Sequence, residues 1–253
     1  MTVAALRREL DAWADAGRTA EFWWRDDDLG SPTARLDPLL RTAAALGAEP
    51  LLAIVPHWAT ADLPSRLAGA PARVAVHGWA HVDHQSGRGK KAEFGDARPL
   101  EALLSDAIRG RERLEDLFDL ALLPCFVPPW NRITPDLIDI LPRAGYRALS
   151  GFGAGPTTAR NLVWINTHVD VIDWRGDRRF IGTGALARTV TRDLSLRREE
   201  QLGTQPIGLL THHLEMNDAD WNGFRDVCDI LVTHPAARMV SSGRLFERSG
   251  AHD

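Results

Sequence analysis

The chain has 253 residues, of which 44% are hydrophobic and 25% are charged. This composition excludes a disordered or fibrous protein, and the length supports a core that needs neither disulfides nor a structural metal. The formal net charge of −4 gives no electrostatic reason to expect nucleic acid or an anionic membrane as the main partner.

Short apolar runs alternate with longer helical patterns along the chain, beginning with helical periodicity over residues 1–17. The predicted strands are Glu21–Asp27, Pro50–Pro56, Arg73–Gly78, Leu122–Pro128, Tyr146–Phe152, Asn161–Val171, Ile207–His212 and Ala237–Ser241. The predicted helices are Thr33–Leu46, Pro99–Asp119, Thr134–Ala144 and Ala219–Thr233. This alternation predicts an α/β fold with a parallel sheet, and about seven or eight such units favour an irregular barrel. Because no linker or repeat interrupts the series, we interpret residues 1–253 as a single domain.

Cysteine use and hydropathy bear on the compartment. Cys125 and Cys228 have no C-x-x-C partner, so we expect buried, unreactive thiols. The first residues lack the apolar run and cleavage site of a signal peptide, and no stretch reaches the roughly 18 apolar residues of a membrane span. We therefore expect a cytoplasmic protein without a membrane span, whose oligomeric state the sequence does not define.

The least regular stretch is Asp83–Asp96, which contains both lysines of the chain. Its Gly-Lys pair is not followed by Ser or Thr, and the first glycine of a phosphate-binding loop is absent. We interpret it either as a solvated loop or as a loop that covers a substrate.

Polar and ionisable side chains collect at the ends of the predicted strands. In a parallel α/β barrel the carboxyl ends of the strands form the active site. The first strand ends in W-W-R-D-D-D, Trp23–Asp28. Three adjacent carboxylates repel one another unless a cation is near, so the run indicates a metal or an arginine partner; a helix-capping cluster is the alternative. The third strand ends in H-G-W-A-H, His77–His81, and two imidazoles four residues apart can bind one cation. Together these ends predict a His-His-Asp metal site with open positions.

Later strands add V-P-P-W-N (Val127–Asn131), D-V-I-D-W (Asp170–Trp174) and L-L-T-H-H (Leu209–His213). The paired prolines lack amide donors, which leaves the Trp130 N–H as a candidate inward donor. Either aspartate of the second segment can orient a histidine, and the histidines of the third change protonation near neutral pH. Each of these strand ends also has a purely structural interpretation, such as a buried histidine whose ring nitrogens form hydrogen bonds within the core.

In this order the five segments resemble the polysaccharide deacetylase superfamily, carbohydrate esterase family four. Its motifs run D-D, H-[ST]-x-x-H, R-x-P-[YF], D-x-x-D-W and L-x-H. They appear here as Asp27-Asp28, His77–His81, Val127–Trp130, Asp170–Trp174 and Leu210–His212. The resemblance spans about Trp23 to His213 and implies a single-domain, irregular (β/α)7-8 TIM-like barrel that hydrolyses an acetamide on a sugar.

The resemblance also implies roles for individual residues. It implies a divalent metal, foremost Zn with Co, Ni, Mn or Fe as alternatives, held by Asp28, His77 and His81. Asp27 would be the general base, the Trp130 amide would stabilise the oxyanion, and His212 would be the acid, oriented by Asp173. Further residues expected to contact substrate are Trp79, Trp174, Pro129, Asn131 and His213.

Three departures from the family pattern affect these assignments. Asp26-Asp27 can replace Asp27-Asp28 as the aspartate pair, and we prefer the later pair because Arg25 and Asp27 then share a strand face. The third-motif arginine, which steadies the base in the family, is Val127 here, so we expect Arg25 to supply its charge. His213 stands where the family often has Asp, which leaves two candidate acids, with His212 preferred.

Nine tryptophans stand against a single tyrosine. Five lie in or beside the motifs, and one follows the second predicted strand: Trp23, Trp24, Trp79, Trp130, Trp174 and Trp58. Because aromatic faces bind sugar rings, we expect these residues to mark the pocket. The remaining three are expected in the core: Trp13, Trp164 and Trp221.

The leading hypothesis is a metal-dependent N-deacetylase whose partner is a small or carrier-linked N-acetyl sugar made inside the cell. One alternative keeps the metal site and hydrolyses a different non-peptide C–N bond. The other is a catalytically silent carbohydrate-binding relative, although such a protein would not need base, metal ligands and acid together.

Overall fold

The computed structural model describes residues 3–85, 87, 89–118, 122–155, 158–159 and 162–247. Its helices are α1 Val3–Asp15, α2 Leu36–Leu46, α3 Leu63–Leu67, α4 Leu100–Phe118, α5 Pro135–Ile140, α6 Thr183–Arg198, α7 Asp218–Thr233 and α8 Ser242–Glu247. Its strands are β1 Ala20–Leu29, β2 Leu51–Ile54, β3 Arg73–His77, β4 Leu122–Val127, β5 Ala148–Leu149, β6 Thr158–Ala159, β7 Leu162–Trp164, β8 Val169–Asp170, β9 Ile207–Thr211 and β10 Ala237–Met239.

The described strands form one sheet in the order β6-β7-β5-β4-β3-β2-β1-β9-β8, with β10 paired to β1. Every pairing is parallel except that of β6 with β7. This arrangement confirms the predicted α/β fold with its irregular, curled barrel. Because the strands are parallel, their carboxyl ends lie at one end of the sheet, where the polar segments collect.

Side chains of β1 alternate between the two faces of the sheet. Phe22 and Trp24 pack in a large cluster that includes apolar residues of the helices, whereas Trp23 packs in a smaller cluster with Leu51 of β2. Arg25 continues the face of Trp23, so a charged side chain enters the interior just before the strand ends. Both faces of β1 are buried, which explains its long apolar run.

The predicted single strand Asn161–Val171 is wrong. The structure has β7 and β8 there, paired at opposite edges of the sheet to β5 and β9, and Asn161 lies outside the described residues. Between them, the Asn166 side-chain oxygen accepts a hydrogen bond of 2.7 Å from the Gly151 amide. A side-chain oxygen thus takes the place of a backbone carbonyl between neighbouring strands. At this point the chain passes from the side of the sheet that contains β5 to the side that contains β9.

Two helical predictions also need correction. The helix predicted over Thr134–Ala144 ends at Ile140 and continues as a tight turn, since Pro142 has no amide to extend the ladder. No helix is predicted over α6, although Leu186, Val190 and Leu194 recur every four residues and are buried. The charged residues between them obscured the pattern.

Both cysteines are buried free thiols, as expected, and burial raises the pKa of Cys125 to about 12. In the part of the chain that the structure describes, no helix combines the length and hydrophobicity needed to cross a bilayer.

Candidate metal centre and active site

A cavity of about 640 Å³ opens at the carboxyl ends of the strands. Its lining residues are Asp27, Asp28, His77, His81, Lys91, Trp130, Asn131, Arg132, Phe152, Asp170, Trp174, Arg178 and His212. Five of them have positive φ although none is glycine: Asp28, His81, Trp130, Asn131 and Arg178. Such backbone conformations cost free energy and cluster at functional sites. The strand ends are therefore shaped for the cavity at the expense of local stability.

Asp28, His77 and His81 form a compact donor set in the lining of this cavity. Oδ1 of Asp28 lies 3.2 Å from Nε2 of each histidine, and the ligand atoms all lie within 4.8 Å of one another. Nδ1 of His77 lies 2.9 Å from the Val127 carbonyl oxygen, so a proton there leaves the Nε2 lone pair directed at Asp28. Two imidazole nitrogens and one carboxylate oxygen suit Zn and several other divalent ions. The residues present fit a metal.

The pKa shifts of Asp28 and His77 also fit a site that binds a cation. Burial would raise the pKa of Asp28, but hydrogen bonds from His77 and His81 hold it well below its usual range. Burial would lower the pKa of His77, but the charge of Asp27 and the contact with Asp28 raise it above the ordinary value. The carboxylates thus favour positive charge at the position between these residues.

Asp27 is held by Arg25 rather than by the histidines. Nε and Nη2 of Arg25 lie 2.8 and 2.9 Å from Oδ1 and Oδ2 of Asp27. Nη1 donates to the carbonyl and hydroxyl oxygens of Ser150, and Nη2 donates to Oδ1 of Asn131. Arg25 is fully buried and Asp27 is 2% exposed. A guanidinium fixed on several sides therefore keeps the Asp27 carboxylate in one orientation.

Asp26 points away from the cavity. Its Oδ1 lies 2.5 Å from Nδ1 of His213, and its Oδ2 accepts hydrogen bonds from the Thr211 hydroxyl and the His213 amide. Both residues are fully buried. Asp26 and His213 therefore join the ends of β1 and β9, while Asp27, Asp28 and His212 face the cavity.

The D-x-x-D-W segment brings Asp170, and not Asp173, to the cavity. Oδ2 of Asp170 accepts a hydrogen bond of 2.8 Å from Nε1 of Trp174, whose ring packs edge-on against His212 at 4.7 Å. Burial raises the pKa of Asp170, although the charge of His212 opposes this. Asp173 is exposed, and its carboxylate accepts hydrogen bonds from the amides of Arg175 and Gly176.

Among the other predicted site residues, Trp130, Asn131 and Trp174 line the cavity, whereas Trp79 and Pro129 do not. Four lining residues had no assigned role in the sequence prediction: Lys91, Arg132, Phe152 and Arg178. Only Lys91 carried a signal, as one of the two lysines of an irregular loop.

The tryptophans divide between the pocket and the core. The ring centroid of Trp130, a lining residue, lies 4.2 Å from that of His81, and the ring of Trp58, which is 40% exposed and does not line the cavity, lies 5.6 Å from it. Trp23 and Trp24 are buried core residues whose indole N–H groups donate to the Asn166 carbonyl oxygen and the Thr211 hydroxyl. Their expected place at the pocket is wrong, because adjacency to a motif does not set the face of a buried strand.

The remaining tryptophans lie mostly as expected. Trp13 and Trp221 are buried in the core, and Trp164 is half-buried and packs against it. Trp79 is half-buried beneath the Arg109 guanidinium, which lies 3.7 Å from its ring.

The structure thus combines a parallel barrel with a His-His-Asp donor set at the ends of its strands. Solved structures of other proteins share this fold. A protein from Mycobacterium smegmatis assigned to the polysaccharide deacetylases matches with a TM-score of 0.69 at 13% identity, over 92% of this chain and 91% of that one. A family 4 carbohydrate esterase from Streptomyces lividans, in complex with acetate, matches with a TM-score of 0.55 at 15% identity, over 88% and 91%. A family 4 pseudoenzyme from Bacillus anthracis matches with a TM-score of 0.58 at 11% identity, over 90% and 66%.

No protein-family model and no curated protein matches the sequence. The structural matches confirm the polysaccharide deacetylase fold that the five motifs imply.

Proposed function

We propose that this protein is a metal-dependent hydrolase that removes an N-acetyl group from a sugar or small saccharide. One observation carries the proposal: adjacent carboxylates at the end of β1 have different environments. Asp28 faces His77 and His81, whereas Asp27 is held by the buried guanidinium of Arg25. A metal ligand and a general base require this difference.

Asp28, His77 and His81 would hold a divalent ion, with Zn the first candidate and Co, Ni, Mn or Fe the alternatives. Such an ion, when bound, lowers the pKa of a coordinated water and polarises a carbonyl group. Asp27 accepts the proton of the attacking water, and Arg25 holds its carboxylate in one orientation.

Residues on other strand ends complete the reaction. The backbone N–H of Trp130 donates to the developing oxyanion, and His212 gives a proton to the leaving amine. Asp170 supports the charge on His212 electrostatically, and Trp174 hydrogen-bonds to Asp170 while packing against His212. The exposed rings of Trp174 and Phe152, in the cavity lining, offer apolar surface to a sugar ring.

A screen for acetate release tests this proposal. The purified protein is treated with a chelator, reloaded with each candidate metal and incubated with N-acetyl hexosamines, their nucleotide-linked forms and short chito-oligosaccharides. We expect acetate release that the chelator abolishes and metal restores. Absence of acetate with every metal contradicts the deacetylase.

A catalytically silent binding protein remains a second candidate, because a pseudoenzyme from Bacillus anthracis has this fold and Val127 replaces the arginine of the third motif. This candidate predicts saccharide binding without acetate release.

A hydrolase of another C–N bond instead predicts turnover of cyclic ureides or other amides without acetate release.

A further inference from the structure

Two cationic side chains at the cavity, Lys91 and Arg132, have no role in the proposed chemistry. We propose that they bind an anionic group, a phosphate or a carboxylate, carried by the N-acetyl sugar. This inference rests on the proposed function and narrows its substrate class.

The carboxylates that line the cavity already face other positively charged groups. In the cavity, Asp27 is paired with Arg25, Asp28 faces the two metal-ligating histidines, and Asp170 lies by His212. Within the described ranges, neither Lys91 nor Arg132 forms an ion pair. Arg178, the third cation of the lining, is already paired with Glu215 at 3.0 Å.

Hydrogen bonds from the amides of Gln85 and Ala92 hold the pKa of Asp83 below its usual range, and the charge of Lys91 adds to this effect. Oδ1 of Asp83 accepts these hydrogen bonds at 3.0 and 3.2 Å. The Asp83 carboxylate therefore stabilises the loop, and the ammonium of Lys91 stays available to a ligand.

A hydrogen bond joins the two residues. Nη1 of Arg132 donates to the Lys91 carbonyl oxygen at 2.7 Å, which joins the segment after β4 to the loop after β3. Arg132 is half-buried and Lys91 is exposed. The rest of the guanidinium fork keeps donors for a bidentate contact with phosphate or carboxylate, and a lysine beside it adds a second charge.

The cavity accommodates such a molecule. Its volume of about 640 Å³ lies within the roughly 300–1,000 Å³ of small-molecule sites. Trp174 and Phe152, 39% and 44% exposed, provide the apolar surface for a sugar ring, while the cations provide the polar end. A charged monosaccharide derivative uses both features, and a neutral sugar leaves the cations without a partner.

The test compares KM for acetate release from phosphate-bearing, carboxylate-bearing and neutral sugars. The probes are N-acetylglucosamine 1-phosphate and 6-phosphate, N-acetylmuramic acid, and N-acetylglucosamine with diacetylchitobiose. We expect KM at least tenfold lower for one anionic class than for the neutral sugars, and the responding class identifies the anion. Added salt should raise only the KM of the anionic substrates.

Three variants connect the effect to the residues. Lys91→Gln keeps the carbonyl that accepts from Arg132, and Arg132→Gln removes the guanidinium. Each should raise KM for the anionic substrate about tenfold, the size of one charge-assisted hydrogen bond, and leave neutral sugars unchanged. Lys90→Gln, an exposed neighbour outside the cavity lining, is the matched control.

The outcomes separate this inference from the proposed function. Acetate release with equal KM for charged and neutral sugars, insensitive to both variants, overturns the anion site and leaves the deacetylase standing. Absence of acetate from every sugar overturns the deacetylase. Calorimetry on Asp27→Asn then decides the anion site: binding of anionic sugars that Lys91→Gln and Arg132→Gln abolish supports it, and absence of binding overturns it.

Discussion

Arg25 and Asp27 lie two residues apart on β1 and form a buried two-point ion pair, with contacts of 2.8 and 2.9 Å. The charge comes from the same strand as the carboxylate, while Val127 occupies the position where the resembling family has its arginine. Side chains two apart on a strand share a face, so the sequence spacing alone makes the pair possible.

The first prediction concerns the geometry of this pair. Arg25→Lys keeps a positive charge but cannot make two parallel contacts with Asp27 while also reaching Ser150. We expect kcat to fall about 10²-fold or more, within the roughly 10²–10⁴ that a positioned base contributes, with metal content unchanged. Steady-state kinetics and metal analysis measure both. A kcat near that of the wild type would show that Arg25 has no part in catalysis.

The second prediction separates the two carboxylates. Asp28→Ala should lose metal, because it removes the only carboxylate of the donor set described above. Asp27→Asn should keep metal and lose turnover, because the amide cannot accept the proton. Metal analysis after dialysis, together with acetate release, distinguishes them. The reverse pattern would assign the ligand to Asp27 and contradict the proposed arrangement.

Much of the site could be predicted because its residues lie directly at strand ends, where local sequence and parallel topology together determine position. Asp27, Asp28, His77, His81 and His212 reach one cavity for this reason. The contact between Arg25 and Asp27 was likewise predictable from strand alternation.

Turns and loops were not predictable in the same way. Trp174 folds back to Asp170 while Asp173 turns to backbone amides, and residue spacing cannot choose between those hydrogen bonds. Lys91 and Arg132 meet through a contact between segments 41 residues apart. Such contacts depend on tertiary packing, which periodicity does not encode.

The third prediction distinguishes Asp170 from Asp173 in supporting His212. Asp170 lines the cavity, whereas Asp173 is exposed and hydrogen-bonds to its own turn. Asp170→Asn should lower kcat at least tenfold, because it removes a negative charge beside the proposed acid. Asp173→Asn should leave kcat within about twofold. Equal losses in the two variants would contradict the assignment.

A pH effect on stability accompanies the third prediction. Burial raises the pKa of Asp170 in the folded state above its value of 3.8 in the unfolded chain. The folded protein therefore binds this proton first as pH falls, and stability associated with Asp170 rises through that window. The free energy of unfolding of the wild type, relative to Asp170→Asn, should increase from pH 7 toward about pH 4. Urea unfolding with chelator present measures it, and a constant difference would contradict the raised pKa.

The fourth prediction concerns Glu93, a carboxylate that is 1% exposed and contacts the turn between His77 and His81. Its two oxygens accept hydrogen bonds from the amides of Trp79 and Ala80 at 3.1 and 2.7 Å. These amides lie between the proposed ligands His77 and His81. At Gly78, where φ is +64°, a Cβ would come within 2.3 Å of the Glu93 carboxylate. The turn that spaces the histidines is thus built around this side chain.

Glu93→Gln tests whether that contact positions the ligands. The amide retains one acceptor oxygen, so one of the two backbone N–H groups would face an NH2 donor and the turn would shift. We expect metal affinity to fall about 10–100-fold, as for other groups that orient ligands, while kcat at saturating metal stays within about twofold. Competition with a chromophoric chelator measures the affinity, and Glu101→Gln, an exposed position in α4, makes the same chemical change away from the turn. Unchanged metal affinity in Glu93→Gln would show that the backbone alone sets the spacing of His77 and His81.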